Sequence, residues 1–209
     1  MSTLKTNQLQ HTANGAAVYT LPQSDGSNGQ VLKTDGSGNL SWYTIPEAAG
    51  TPITVVTAFR NTSNRAGDVT TLDTWGEESG EQSTGKISTG GAVTHSSGVF
   101  SFPVTGYYLI LAQATFGCNG DSRYNNFYLK TSTDGGSNWD DASHGTTGIS
   151  KVENDNTYGQ IALSYCFDVT DTSTHKIGFK TSVSNNSTVL EGNTSQMTSA
   201  VWFIRIGDT

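Results

Sequence analysis

Asp134, Asp140, Asp141 and His144 stand close together in the chain and offer the hard oxygen and nitrogen donors that gather around a cation, although their spacing is not that of a helix-loop-helix calcium loop. Adjacent carboxylates occur at Glu77-Glu78 and again at Asp140-Asp141. Acid and base partners for glycoside hydrolysis need a defined separation in space, and neighbours in a loop do not provide it. The four histidines, His11, His95, His144 and His175, show no HExxH or other metal spacing. Cys118 and Cys166 form no CxxC pair and lack the basic surroundings that would activate a thiol. No nucleophile elbow, phosphate loop or dinucleotide fingerprint occurs, so catalytic residues are expected to be absent. What remains is recognition chemistry. Trp75, Tyr124, Trp139 and Tyr158 fall at turn-like positions and are the candidates for recognition, where rings stack on sugars and bury much area at little entropic cost; the preferred reading of each is still a partly buried packing residue.

Strands and turns must position these groups. Ile161, Leu163, Tyr165, Phe167 and Val169 alternate with Ala162, Ser164, Cys166 and Asp168, the period of a half-buried strand. The same alternation runs through Phe127 and Leu129, Ile177 and Phe179, and Trp202, Ile204 and Ile206, and no stretch has the helical period. Ser132-x-Asp134-x-Gly136-x-x-Trp139 resembles the Asp-box of sialidase propellers, where it is a structural hairpin. A single copy cannot build a propeller of ~40-residue blades. The preferred reading is a turn in which Asp134 bonds its own amides, Gly135 or Gly136 takes positive φ and Trp139 folds over the top.

The stretch Phe100-Ser-Phe-Pro103-Val-Thr-Gly106-Tyr-Tyr108-Leu-Ile-Leu111 sets a strand directly behind a Pro-x-x-Gly turn. That strand is apolar on both faces: Tyr107, Leu109 and Leu111 point one way, Tyr108, Ile110 and Ala112 the other. The spacing Phe100-x-x-Pro103-x-x-Gly106-x-Tyr108 resembles the signature of C1q and tumour-necrosis-factor-like domains, from about Thr54 to Ile206. The resemblance implies an all-β jelly-roll sandwich that assembles as a homotrimer, with one apolar face at the trimer interface. Tyr108 and Ile110 are assigned to that interface. Some C1q relatives bind calcium near the trimer apex, which would make Asp140 and Asp141 the first ligands to test; no other cofactor is implied.

Of 209 residues, 33% are hydrophobic and 14% charged, with 24 glycines and 4 prolines, a composition of short strands and many turns. A net charge of -7 without clustered Lys and Arg argues against nucleic acid. No apolar run approaches the ~20 residues of a bilayer span, and the opening residues lack the hydrophobic segment of an export signal. Free thiols in a reducing cytosol are therefore expected.

Residues 1–50 hold few large apolar side chains and cannot build a core alone. Gly29-Gln-Val-Leu-Lys-Thr-Asp35-Gly36-Ser-Gly38-Asn-Leu-Ser-Trp42 reads as strand, Asp-Gly turn, strand, and a hairpin this small needs a partner surface. It resembles segments of bacteriophage tail-fibre and virion-appendage proteins, and the opening Ser2-Thr-Leu-Lys-Thr-Asn-Gln-Leu-Gln-His11 resembles the start of structural proteins of marine phages. Ala48-Ala-Gly50-Thr-Pro52 reads as a connector. The expected organisation is a short extended β-hairpin stem over 1–50 and a jelly-roll head over 51–209. The resemblances imply a virion protein assembled in the host cytoplasm. Its partners would be its own copies, other virion proteins through the stem, and a host receptor or polysaccharide. A capsid-decorating or collar role, a secreted C1q-like module and a glycan-cleaving enzyme are the alternatives.

Overall fold

The computed structural model describes residues 6–10, 18–45, 53–78 and 87–209. The expected connector at 48–52, and the phage-like opening apart from 6–10, lie outside the described residues. The chain divides into two units, Met1–Thr51 and Pro52–Thr209.

In the first unit β1 (Gln8–Gln10) pairs with β2 (Val18–Thr20), and β3 (Gln30–Thr34) pairs with β4 (Leu40–Thr44), all antiparallel. The hairpin read from the sequence is present. Asp35 closes it by accepting the amide hydrogens of Ser37 and Asn39 at 2.8 and 3.0 Å. Those bonds, and that from the Asn39 side chain above all, hold its carboxyl below the usual range. The Trp42 indole donates to the Ser24 carbonyl at 2.8 Å. No described residue of this unit is buried, and Leu9, Val18, Tyr19, Val31, Leu32, Tyr43 and Ile45 all stay exposed.

The second unit contains β5 (Val56–Asn61), β6 (Arg65–Ala66), β7 (Trp75–Glu77), β8 (Thr94–Ser96), β9 (Val99–Ser101), β10 (Gly106–Cys118), β11 (Ser122–Ser132), β12 (Asp140–Ile149), β13 (Thr157–Val169), β14 (Lys176–Val183), β15 (Val189–Leu190) and β16 (Ala200–Gly207). In the first sheet the order is β7-β5-β16-β10-β13, and β15 with β6 continues beside β10 past the end of β16. The second sheet runs β12-β11-β14-β9-β8. Consecutive strands repeatedly cross from one sheet to the other, which makes the unit a jelly-roll sandwich.

Phe100 on β9 centres the core. Its ring meets Phe59 at 5.0 Å, Phe203 at 4.9 Å, Phe179 at 5.7 Å and Trp75 at 6.0 Å, joining both sheets through aromatic pairs. Pro103 and Gly106 then set the start of β10. Gly106 has φ 142°, and a Cβ there would sit 2.5 Å from the Gly207 carbonyl oxygen, so only glycine fits.

Beyond this turn one expectation is corrected. Tyr108 and Ile110 do not lie on a face left for partner chains; both are 0% exposed within a single chain. Tyr108 packs on Phe102 at 4.5 Å and donates its hydroxyl to the Val104 carbonyl at 2.9 Å, and burial pushes the phenol up to about 12. The outward set is Tyr107, Leu109 and Leu111. The alternation along β10 is the one read from the sequence; Tyr108, Ile110 and Ala112 are the inward set because the second sheet packs over that face.

Deleting residues 1–50 should leave a head that unfolds in one cooperative transition, since the core lies downstream; a truncated chain without that transition would refute the division. Tyr108→Asp should abolish folding, because an unpaired carboxylate would enter the core at a cost of several kcal/mol. A soluble, folded Tyr108→Asp protein would return Tyr108 to an interface.

Candidate functional site

Two surfaces of the head carry what the sequence reserved for recognition: the outer face of the first sheet and the turns between strands. Ladder partners share a face, so the outer face can be read row by row. Val56, Ile204, Leu109 and Cys166 form one row across β5, β16, β10 and β13; Ala58, Trp202, Leu111 and Ser164 form the next. Tyr107 and Ile206 extend this surface at 41% and 47% exposure. At the other end it sinks into a dent of about 250 Å³ bordered by Gln113, Thr115, Gln160 and Ala162. Asp168, in register with Tyr107, has one carboxylate oxygen buried without a hydrogen-bond partner. Such a group is uncommon in a satisfied surface. Both cysteines are free, Cys118 buried and Cys166 exposed.

The four candidate aromatics separate. Trp75 is corrected from a loop recognition residue to a core residue: it is 7% exposed, lies on β7 and packs on Phe100 and Phe179. Trp139 is half-buried, with Lys130 Nζ 5.0 Å from its ring centre and Gly178 beneath it. Tyr124 and Tyr158 are exposed, at 41% and 58%.

The Asp134 turn has the expected form. Asp134 accepts the Ser132 hydroxyl at 2.8 Å, the Asn138 amide at 2.9 Å and the Asn138 side chain at 2.6 Å. These bonds, those from Asn138 first, hold its carboxyl down at about 2. Gly135 and Gly136 have φ of 79° and 95°. The Asp35 turn uses the same chemistry, Asp-Gly followed by an asparagine that bonds back to the aspartate, so this device closes a hairpin in each unit.

The candidate cation ligands are dispersed. Asp134 is engaged in its own turn, Asp141 pairs with Lys180 at 2.6 Å, and His144 stacks on Tyr128 at 5.1 Å. Asp140 is exposed, and among the described residues no three His, Cys, Asp or Glu side chains come together to hold a metal ion. The paired carboxylates are likewise structural in use: Glu78 is ion-paired with Arg60. Among the described residues no helix is long and apolar enough to cross a membrane.

His95 is the histidine with a position of consequence. Its ring packs on Phe100 at 4.7 Å, and Nε2 accepts the Gly98 amide at 3.0 Å, which requires the neutral ring. Burial pushes its imidazole below the usual histidine value, against the pull of Asp73.

Arg123, next to Tyr124, was missed by sequence reasoning; the available signal was an arginine and a tyrosine side by side just after a turn. The outward set on β10 was visible but assigned to the wrong face.

No protein-family model matches the chain, and no curated protein matches it. Solved structures do. Eiger TNF from S. frugiperda aligns with a TM-score of 0.51 at 11% identity, over 76% of this chain and 95% of its own. Murine APRIL, in its structure at pH 5.0, aligns with a TM-score of 0.50 at 12% identity, over 72% of this chain and 98% of its own. At such identities the likeness concerns the fold alone: the head shares the jelly-roll sandwich of these structures.

Because folding lowers the His95 pKa, its contribution to stability is complete above the unfolded value of about 6.5 and is lost as pH falls toward the folded value. The melting temperature should drop between about pH 7 and 5, and less steeply in His95→Gln, whose amide oxygen can still accept from Gly98. An equal drop in both proteins would rule out His95 as the cause.

Proposed function

We propose that this chain is a homotrimeric virion appendage of a bacteriophage, with the first unit as an intertwined stem and the second as a head that binds a host receptor or polysaccharide. The observation that carries the trimer is the outer face of the first sheet, where the rows through Leu109 and Leu111 present contiguous apolar side chains to solvent. Two further features support it. Asp168, whose carboxylate keeps one oxygen without a hydrogen-bond partner, belongs to that face through its register with Tyr107. The first unit, which buries none of its described residues, gains two neighbours in a trimer. The virion reading is supported by the likeness of the Asp35 hairpin and the opening segment to phage appendage proteins. A binding role is in keeping with a trimer, since three copies of one weak site on a rigid head raise avidity without any new contact.

In sedimentation velocity the full chain, 22.1 kDa as a monomer, should run as a trimer at micromolar concentration. Leu111→Asp should run as a folded monomer, because an unpaired carboxylate in the interface raises the dissociation constant by roughly a hundredfold or more. A wild-type chain that is soluble and monomeric would end the trimer reading. Gold-labelled antibody against the head should decorate phage particles; unlabelled particles, with the antibody active on purified protein, would end the virion reading.

A further inference from the structure

Nearly every described cation is engaged. Arg60, Arg65, Lys180 and Arg205 are in ion pairs, Lys130 and Lys176 donate to backbone carbonyls at 2.9 Å, and Lys33 lies over the Tyr43 ring. Among the described residues Arg123 and Lys151 are the two whose charged heads meet no carboxylate, carbonyl or ring. They occur at the same end of the head. The backbone N–H of Lys151 donates to the Asp121 carboxylate at 2.8 Å, and Asn119 ties the neighbouring turn to the Asn154 carbonyl at 3.1 Å.

The backbone there is shaped to present side chains. The ladder between β11 and β12 slips between Ser122 and Asn125, so Arg123 and Tyr124 are both exposed where a regular strand would turn one of them inward. The floor is rigid: Ser122 and Asn125 are 0% exposed, Ser122 Oγ donates to Asn125 Oδ1 at 2.6 Å, and Asn125 Nδ2 donates to the Thr147 carbonyl at 3.1 Å. Beside the bulge lies an open groove of about 650 Å³ lined by Arg123 with Asp121, Ser150 and Ser184. It belongs to the second sheet, away from the outer face of the first.

From this placement we infer that the Arg123–Tyr124 bulge is the binding site for an acidic, carboxylate-bearing polysaccharide. A guanidinium grips a carboxylate through two parallel hydrogen bonds, which a lysine cannot reproduce. The exposed Tyr124 ring supplies the flat apolar surface on which the C–H face of a pyranose stacks. Ser150, Ser184 and Asp121 offer hydroxyl and carboxylate partners for sugar hydroxyls. Glu153 and Asp155 in the same loop as Lys151, on a chain of net charge -7, keep the site from attracting polyanions indiscriminately. This assignment rests on the head being a binding module, as proposed above.

The test is native affinity electrophoresis of the full chain through gels containing alginate, a polyuronate, with neutral dextran and duplex DNA as comparisons. Alginate should retard the protein and dextran and DNA should not. Arg123→Gln should weaken retardation about tenfold or more, the loss expected for a charge-assisted bidentate contact. Arg123→Lys should fall between, and Tyr124→Ala should weaken binding with unchanged melting temperature. Absence of retardation by alginate, equal retention by DNA, or an Arg123→Gln protein retarded like wild type would each overturn the site. Sedimentation of the same samples separates the two proposals: a trimer that ignores alginate overturns this site alone, and a monomer retarded through Arg123 overturns the trimer alone.

Discussion

A β-strand with apolar side chains on both faces has to be covered twice, and β10 is such a strand. One cover is the second sheet of the same chain, which closes over Tyr108, Ile110, Ala112 and Ala114. The other face, carrying Tyr107, Leu109 and Leu111, is left half-buried to exposed by the described residues. Because β10 pairs with β13 along its whole length and with β16 and β15 along the other edge, its register decides which side chains of the first sheet enter the core. The sandwich, the outer apolar rows and the placing of Asp168 all follow from that register.

The turn ahead of β10 holds the register in place. Gly106 permits a backbone that any side chain would push into Gly207, Tyr108 reaches back to the Val104 carbonyl, and Arg205 donates to the Thr105 carbonyl at 2.8 Å. Elsewhere the chain closes its hairpins with polar side chains that satisfy their own loop amides, as at Asp35 and Asp134. These carboxylates are consumed by local structure. The same is true of most described cations, so a chain only 14% charged has few cationic groups available to a ligand, and those at the Arg123 bulge stand apart.

Much of this was legible in the residues. Strands over Ile161 to Val169 and over Ile177 and Phe179 follow from strict alternation, and both aspartate turns follow from Asp-Gly chemistry, because each depends on side chains a few positions apart. Trp75 was misplaced because its neighbours in sequence, Thr74 and Gly76, look like a turn; its partners Phe100 and Phe179 are distant in the chain. Asp140 and Asp141 looked like a ligand pair, but a strand sends neighbours to opposite faces, and Lys180 from β14 takes Asp141.

Period and local chemistry, legible in the residues themselves, were enough for an all-β head, a separate N-terminal unit too poor in apolar residues to bury a core, and the turns that end its strands; the jelly-roll expectation came from the resemblance carried by the Phe100 to Tyr108 spacing. Only the tertiary structure decided which face of β10 is inside. Tyr108-x-Ile110 and Tyr107-x-Leu109-x-Leu111 are equally apolar, so alternation alone is symmetric between them, and the symmetry is broken only when the second sheet packs over one of the two faces. In the same way a bulge and a set of ion pairs, neither visible before strands meet, left Arg123 exposed and unpaired beside Tyr124.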